Sequence, residues 1–337
     1  MTSQINFDKL FKSFNSQKVL IIGDVMIDAY LWGKVDRISP EAPVPVVVVN
    51  RRESRLGGAA NVALNIQSLG AKPILCSVVG DDNKGQEFIN LLKDNNISDI
   101  GIIKSSKRIT TTKFRIFGNN SQMLRVDEEV SHPLDKEDNL LFIKKVEDII
   151  YGQKIDSVII QDYDKGIVSK ELLEKIIDKL NELNIPIAVD PKRRNFSLYK
   201  NVTLFKPNLK ELRDGLKLEN EIISEEELSE ITNALLDKQN MRIILTTLSE
   251  KGVFLTCNSR DIGRINTLLP AQVRSIADVS GAGDTVISTA ALCLGHDLKA
   301  IDVAFISNLS GGLVCEQVGV VPVDKERLLN ELKSINQ

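Results

Sequence analysis

Histidine, cysteine and tryptophan are scarce in this 337-residue chain, which has two, four and one of them. His132 and His296 have no metal-like partner at helical spacing, so nothing points to histidine catalysis, and both suit surface or loop positions. Cys76, Cys257, Cys293 and Cys315 lie far apart and form no CxxC pair, which argues against a disulfide framework or zinc site and for core thiols. No apolar run approaches the roughly 18 to 20 residues that a membrane-spanning helix needs. The opening MTSQINFDKLFKSFNSQ lacks the basic-then-apolar order of a secretory leader, so a soluble cytoplasmic protein is expected. Basic charge is not in excess either. Lys and Arg number 43 against 46 Asp and Glu, a net charge of −3, so neither nucleic acid nor an anionic membrane is an expected partner. Any phosphate site must then be local. A Walker A loop is missing too: Gly80-Asp81-Asp82-Asn83-Lys84-Gly85 runs into Gln86-Glu87, where lysine and Ser/Thr would hold phosphate and metal.

What is present is a core-forming chain, 42% hydrophobic, in which short apolar runs alternate with helical patterns. Val19–Ile22, Ile74–Val79, Val158–Ile160, Ile187–Val189, Thr203–Phe205, Arg242–Leu245 and Val253–Leu255 read as strands. Gly58–Leu69, Lys84–Asp94, Lys170 to about Leu183, a segment from about Asn208, Ala282–Leu294, Ile301–Val314 and Lys325–Leu332 read as helices. The alternation predicts an α/β fold, a mostly parallel sheet with helices on both faces and binding sites beyond the carboxyl ends of its strands. Two β-rich stretches, Val44–Asn50 and Thr111–Val126, break the pattern. They suit a small accessory sheet covering the site, or extra edge strands of the main one.

Three motifs carry chemistry. In Asp278-Val279-Ser280-Gly281-Ala282-Gly283-Asp284-Thr285 a glycine turn opens an apolar helix, leaving N–H groups free for an anion with the Asp284 carboxylate beside it. A carboxylate there suits a base that takes a proton from an attacking hydroxyl, although an acidic residue at a helix start is common. In Gly57-Gly58-Ala59-Ala60-Asn61 the glycines would let backbone approach a ligand, with Asn61 offering donor and acceptor; close packing of a helix start explains them too. In Asn208-Leu209-Lys210-Glu211, Asn and Glu share one helical face, which suits either a hydrated Mg²⁺ or an N-terminal capping box.

Taken in this order, from about Val19 to Val323, the motifs resemble the ribokinase-like (PfkB) carbohydrate kinases. The resemblance implies a three-layer α/β/α sandwich with a small β-sheet lid, here about residues 32–55 and 108–128 of one kinase domain. Gly23-Asp24-Val25-Met26-Ile27-Asp28, the run Arg37 to Val46 (RISPEAPVPV) and Asp190-Pro191-Lys192 look like the kinase part of the bacterial bifunctional heptose kinase/adenylyltransferases. That implies phosphorylation of the anomeric hydroxyl of D-glycero-β-D-manno-heptose 7-phosphate to the 1,7-bisphosphate, on the route to ADP-heptose for the lipopolysaccharide core. No adenylyltransferase domain is expected within these residues, so another chain would perform the later step.

Carried over by position, the resemblance makes Asp284 the base and Gly281, Ala282 and Gly283 an anion hole. Asp24, Asp28, Gly57, Gly58, Asn61 and Lys192 would serve the sugar and the transferring phosphate. Asn208 and Glu211 would hold Mg²⁺ through water, while Thr247, Glu250, Gly252 and Asn308 would hold ATP. The family's ATP turn usually has glycine where Ser249 stands, and Arg193-Arg194 follow Lys192 where glycine is expected. Arg37, Lys113, Arg115, Arg125, Lys192 and Arg193 are candidates for the sugar phosphate. Lids in this family often pair between subunits, so a homodimer covering the apolar edge Val46–Val49 is implied. Two alternatives are a kinase for another sugar phosphate, such as a fructose phosphate, and a catalytically silent regulator that binds nucleotide or sugar. A retained Asp284 with both glycines speaks against the silent regulator, which has no need of a base.

Overall fold

The computed structural model describes residues 5–222, 224–259, 263–272, 274–296 and 298–335. It begins with helix α1 (Phe7–Phe14), strands β1 (Lys18–Gly23), β2 (Val25–Ile38) and β3 (Pro45–Gly58), and α2 (Ala59–Ser68). Next come β4 (Lys72–Gly80), α3 (Asn83–Asp94), β5 (Gly101–Ser105), β6 (Thr112–Gly118), β7 (Ser121–Glu128) and α4 (Lys136–Gly152). Then follow β8 (Ser157–Gln161), α5 (Lys170–Glu182), β9 (Ile187–Asp190), β10 (Leu204–Phe205), α6 (Leu209–Leu216) and α7 (Glu225–Lys238). The chain continues with β11 (Ile243–Thr247), β12 (Val253–Ser259), β13 (Gly263–Leu269), α8 (Ala282–Leu294), α9 (Ala300–Val314) and α10 (Lys325–Ile335).

The main sheet has the order β13-β12-β11-β10-β9-β8-β1-β4-β5. It is parallel from β5 to β11 and antiparallel at the β11-β12-β13 end. Alternation divides each central strand between two cores. Val19 and Ile21 face the side packed by α1, α2, α3, α8, α9 and α10. Leu20 and Ile22 face the side packed by α4, α5, α6 and α7. Strands β8 and β9 are buried at every position, as expected of strands covered on both faces. The α/β sandwich expected from the alternation is therefore present. Helices α4 and α7 and strands β5 and β13 were not anticipated. The apolar spacing of Leu228, Ile231, Leu235 and Leu236 could have signalled α7.

A separate four-stranded sheet has the order β3-β2-β6-β7. Val44–Asn50 and Thr111–Val126 fall mainly in β3, β6 and β7, away from the main sheet. The small sheet starts earlier than the expected residue 32, because β2 leaves the core directly after β1, with only Asp24 between them. Its two longest strands form one hairpin that returns to where it began. The Asp24 carbonyl accepts from Ala59 N–H at 2.9 Å, joining the first residue out of the core to the first residue back. Gly58 closes this joint at φ +61, where a Cβ would lie 2.5 Å from the same carbonyl.

At Gly23 the packing of β1 against β8 leaves no room for a side chain: a Cβ would sit 2.0 Å from the Gln161 carbonyl. Gly23→Ala should therefore force the two central strands apart and cost about 1–3 kcal/mol, as overpacking of a close-packed core does. Urea denaturation checks this, and an unchanged midpoint would mean that the strands separate there without strain.

Candidate active site

Adjacent parallel strands bring their carboxyl ends to one edge. Asp24 follows β1, Tyr163 lies two residues beyond β8, and Asp190 ends β9. Lys206 follows β10 and Thr247 ends β11. Helix α8 points its amino end at the same edge. Since α8 is apolar and buried from Asp284 to Cys293, its first turn lies in a low-dielectric setting.

Asp284 is held there by donors on both oxygens. Asn61 Nδ2 donates to Oδ2 at 2.6 Å, and the Tyr163 hydroxyl donates to Oδ1 at 2.8 Å. Gln161 Nε2 also points at Oδ1, at 3.4 Å. Burial raises the carboxyl to about 6, helped by the charge of Asp190 and opposed by Asn61, Tyr163 and Lys206. A carboxylate poised there still ionises at neutral pH and is more basic than an exposed aspartate. Gly281 caps the helix at φ +83 without any side-chain cap. Of the three N–H groups expected to form an anion hole, that of Ala282 turns back to the Val279 carbonyl at 3.3 Å, which leaves those of Gly281 and Gly283 as the groups suited to an anion. A Cβ on Gly283 would lie 3.4 Å from Lys206 Nζ, which places an ammonium beside the turn.

Lys206 and Asp190 form an ion pair at 3.0 Å with side chains 3% and 7% exposed. Gln161 Nε2 donates to the same Asp190 oxygen at 3.1 Å. Lys192 pairs with Glu211, and its ammonium lies 5.5 Å from the centre of the Tyr163 ring. Burial acts to lower the Lys192 ammonium, but the charges of Asp190 and Glu211 outweigh it and raise it. Asp190, Lys206, Gln161 and Tyr163 were missed as site residues. Lys206 had one usable signal, its place between the apolar pair Leu204–Phe205 and Pro207 at a strand end.

The remaining expected residues divide. Asn61 is at the site, and its Oδ1 is buried without a donor. Asp28 lies on the small sheet, where Arg115 Nη1 donates to Oδ1 at 2.5 Å. Gly57 makes room for it, since a Cβ would sit 2.5 Å from Asp28 Oδ2. Asp24, expected to face the sugar, is instead fully buried. Its Oδ2 accepts from the N–H groups of Tyr163 and Lys165 at 2.8 and 3.2 Å, and its Oδ1 from that of Ile167 at 3.1 Å. It secures a loop and presents no oxygen to a ligand here.

Asn208 and Glu211 form a capping box at the start of α6, with bonds of 2.8 and 2.9 Å. The second carboxylate oxygen of Glu211 faces Lys192. With those oxygens engaged, the pair fits a hydrated Mg²⁺ held through its waters and does not fit direct ligation. Among the described residues, no group of three or more His, Cys, Asp or Glu could hold a metal.

Thr247 bridges to Asn208. Glu250 lies in the turn after it, and Ser249 takes φ +53, the left-handed geometry that explains the family's usual glycine. Gly252 has φ +102, and a Cβ there would meet the Leu269 carbonyl at 2.2 Å. Asn308 donates to the Pro270 carbonyl at 2.9 Å, so Gly252 and Asn308 meet one segment from two sides. Of the phosphate candidates, Arg115 pairs with Asp28, Lys113 with Asp127 and Glu129, and Arg125 with Asp127. The histidines are remote: His132 Nδ1 lies 3.0 Å from the Pro133 carbonyl, and His296 Nε2 lies 2.8 Å from Gln17 Nε2.

Residues 16–326 match the sequence profile of the pfkB family carbohydrate kinases. The chain belongs to that family. It is an ATP-dependent sugar kinase. Among curated relatives, the bifunctional protein HldE of Magnetococcus marinus is 38% identical over 95% of this chain. That of Helicobacter pylori is 40% identical over 90%. In both cases the chain spans 64% of the relative's length. The kinase shares its fold with Escherichia coli phosphofructokinase-2, at a TM-score of 0.76, 17% identity and coverage of 95% and 99% of the two chains. Arabidopsis thaliana ribokinase, solved with ribose and ATP, matches at a TM-score of 0.67, 15% identity and coverage of 93% and 98%.

The buried Lys206–Asp190 pair makes a stability prediction for this kinase. Lys206→Met should strand the Asp190 charge and cost about 3–5 kcal/mol. Adding Asp190→Asn should recover most of that loss. Equal denaturation midpoints for the single and double variants would show that the two charges are not coupled.

Proposed function

We propose that this kinase transfers the ATP γ-phosphoryl group to the anomeric hydroxyl of D-glycero-β-D-manno-heptose 7-phosphate, giving the 1,7-bisphosphate for ADP-heptose synthesis in the cytoplasm. The observation that carries the chemistry is the ionisable, buried Asp284 beside the uncapped amino end of α8. The finer assignment of the sugar rests on the run from Arg37 to Val46 and on identity near 40% with relatives named HldE.

In this reading Asp284 takes the proton of the acceptor hydroxyl as that oxygen attacks phosphorus in line. The N–H groups of Gly281 and Gly283 face the charge on the transferring group, joined by that of Ala282 if it leaves the Val279 carbonyl, with Lys206 and Lys192 supplying cations. Asn61 meets the acceptor side, and Asp28, Gly57 and Gly58 line the sugar from the small sheet. Thr247, Glu250, Gly252 and Asn308 hold the nucleotide. Asn208 and Glu211 hold hydrated Mg²⁺, which neutralises phosphate charge when bound. Small-sheet residues Val48, Leu124 and Val126 are exposed and apolar, which supports pairing of two chains through that sheet.

Two assays test this. With heptose 7-phosphate, kcat/KM should exceed that for unphosphorylated ribose or fructose by about 10²-fold or more, since a site built for a phosphate loses its partner without one. Equal values would overturn the heptose phosphate assignment and leave the kinase intact.

Asp284→Asn should lower kcat by about 10²- to 10⁴-fold, because the amide takes up no proton at neutral pH. Nucleotide binding should persist. The fold should survive too, as Asn61 can rotate to offer its unpartnered Oδ1 to the new amide. A fully active variant would refute Asp284 as the base.

A further inference from the structure

Asp284 has two oxygens, and Asn61 secures only one of them. The other is fixed by Tyr163, whose placement is itself over-determined. Asp24 accepts three N–H groups from the loop after β8, the first being that of Tyr163. Arg108 Nη2 donates to the Lys165 carbonyl at 2.6 Å and holds the loop from the outside. The Tyr163 ring lies beneath the Lys192 ammonium, which is anchored by Glu211. A buried carboxylate, a backbone loop and a cation thus deliver one phenol to one oxygen of Asp284. Burial, followed by the charges of Asp284 and Asp190, pushes that phenol well above its ordinary range. It keeps its proton throughout the working pH and can act toward Asp284 only as a donor.

We propose that Tyr163 is the positioning residue of the base, its O–H fixing Oδ1 of Asp284 so that the carboxylate meets the acceptor hydroxyl in one orientation. This rests on the reading of Asp284 as the base. The charged and titratable groups that face Asp284 are Asp190 from β9, Lys206 after β10, Lys192 after β9 and Tyr163 itself. Of these, Tyr163 bonds the carboxylate directly. A donor on the ionised carboxylate favours ionisation, so its removal must raise the pH at which the base becomes available.

The test is the acid limb of kcat/KM in Tyr163→Phe against wild type, with substrate ionisation common to both. The limb should move up by about one pH unit. Near pH 6 activity should fall about fivefold, approaching tenfold at lower pH, with most of it recovered near pH 8.5. A uniform loss at all pH values, or no change, would overturn the proposal and leave Tyr163 as packing. Incorporating ring-fluorinated tyrosine at position 163 makes the phenol a stronger donor, and the limb should then move down. This second arm decides the matter if the phenylalanine protein does not fold, and an unmoved limb overturns the proposal. Asp284→Asn in parallel separates the two ideas. An active Asp284→Asn protein refutes the base and Tyr163's role with it. An inactive one combined with an unmoved Tyr163→Phe limb refutes the role of Tyr163 alone.

Discussion

Carboxylates crowd the carboxyl edge of the central sheet, and the cost of burying their charge governs what surrounds them. Asp24, Asp162, Asp190 and Asp284 are all 8% exposed or less. Three kinds of donor meet them, and Asp162 and Asp284 share the pairing of a tyrosine hydroxyl with an asparagine amide. Asp24 takes backbone N–H groups, and Asp162 takes the Tyr199 hydroxyl at 2.6 Å and Asn195 Nδ2 at 2.9 Å. Asp190 takes the Lys206 ammonium, and Asp284 takes an amide and a phenol. Burial still lifts Asp162 to about 6, with the nearby charge of Asp24 adding to it. An ammonium on Asp284 would favour its ionised form far more strongly than neutral donors do and would leave it a weaker base. Neutral donors keep it ionisable near neutrality, while the buried Lys206 ammonium stays with Asp190.

The fold supplies this edge cheaply because parallel strands end together. Successive crossovers place one polar residue after each apolar strand, and the register Gly23–Gln161 and Gln161–Asp190 sets them side by side. Helix α8 completes the arrangement only because it is buried around its whole circumference, with its Thr285 and Ser288 hydroxyls paired inside. A helix with one wet face could not bring its amino end to the sheet edge with Asp284 buried in its first turn.

Much of this was readable from the letters. Contiguous apolar runs gave β1, β4, β8 and β9, and the sequence Gly-Ala-Gly-Asp is chemically narrow enough to mark the start of α8. Strand β2 was missed because Val25–Tyr30 continues the apolar character of β1, and only Asp24 marks the turn out of the core. Asn208 and Glu211 remained ambiguous for a physical reason: a capping box and a hydrated-cation holder ask for the same side chains at the same spacing. Burial is the quantity that letters conceal most. Lys206 and Tyr163 look like ordinary turn residues in FKPN and QDYDKG, and only the closure of strands from distant parts of the chain makes them partners of Asp190 and Asp284, Lys206 buried and Tyr163 half-buried.

The same closure links the small sheet to Asp284. The hairpin β2–β3 leaves the core at Asp24 and rejoins it at Ala59, and the two are bonded to each other. One residue therefore carries three connections: its carbonyl closes the hairpin, its carboxylate holds the Tyr163 loop, and its backbone ends β1. Two residues beyond Ala59, within the first turn of α2, Asn61 reaches Asp284. The two shorter donors on the carboxylate are thus tied to the hairpin's base, Asn61 through α2 and Tyr163 through Asp24. A displacement of the small sheet that reached its base would act on both oxygens, against the hold that Arg108 and Lys192 keep on the loop and ring of Tyr163. The small sheet and the groups that hold Asp284 are in this sense mechanically linked, joined at Asp24.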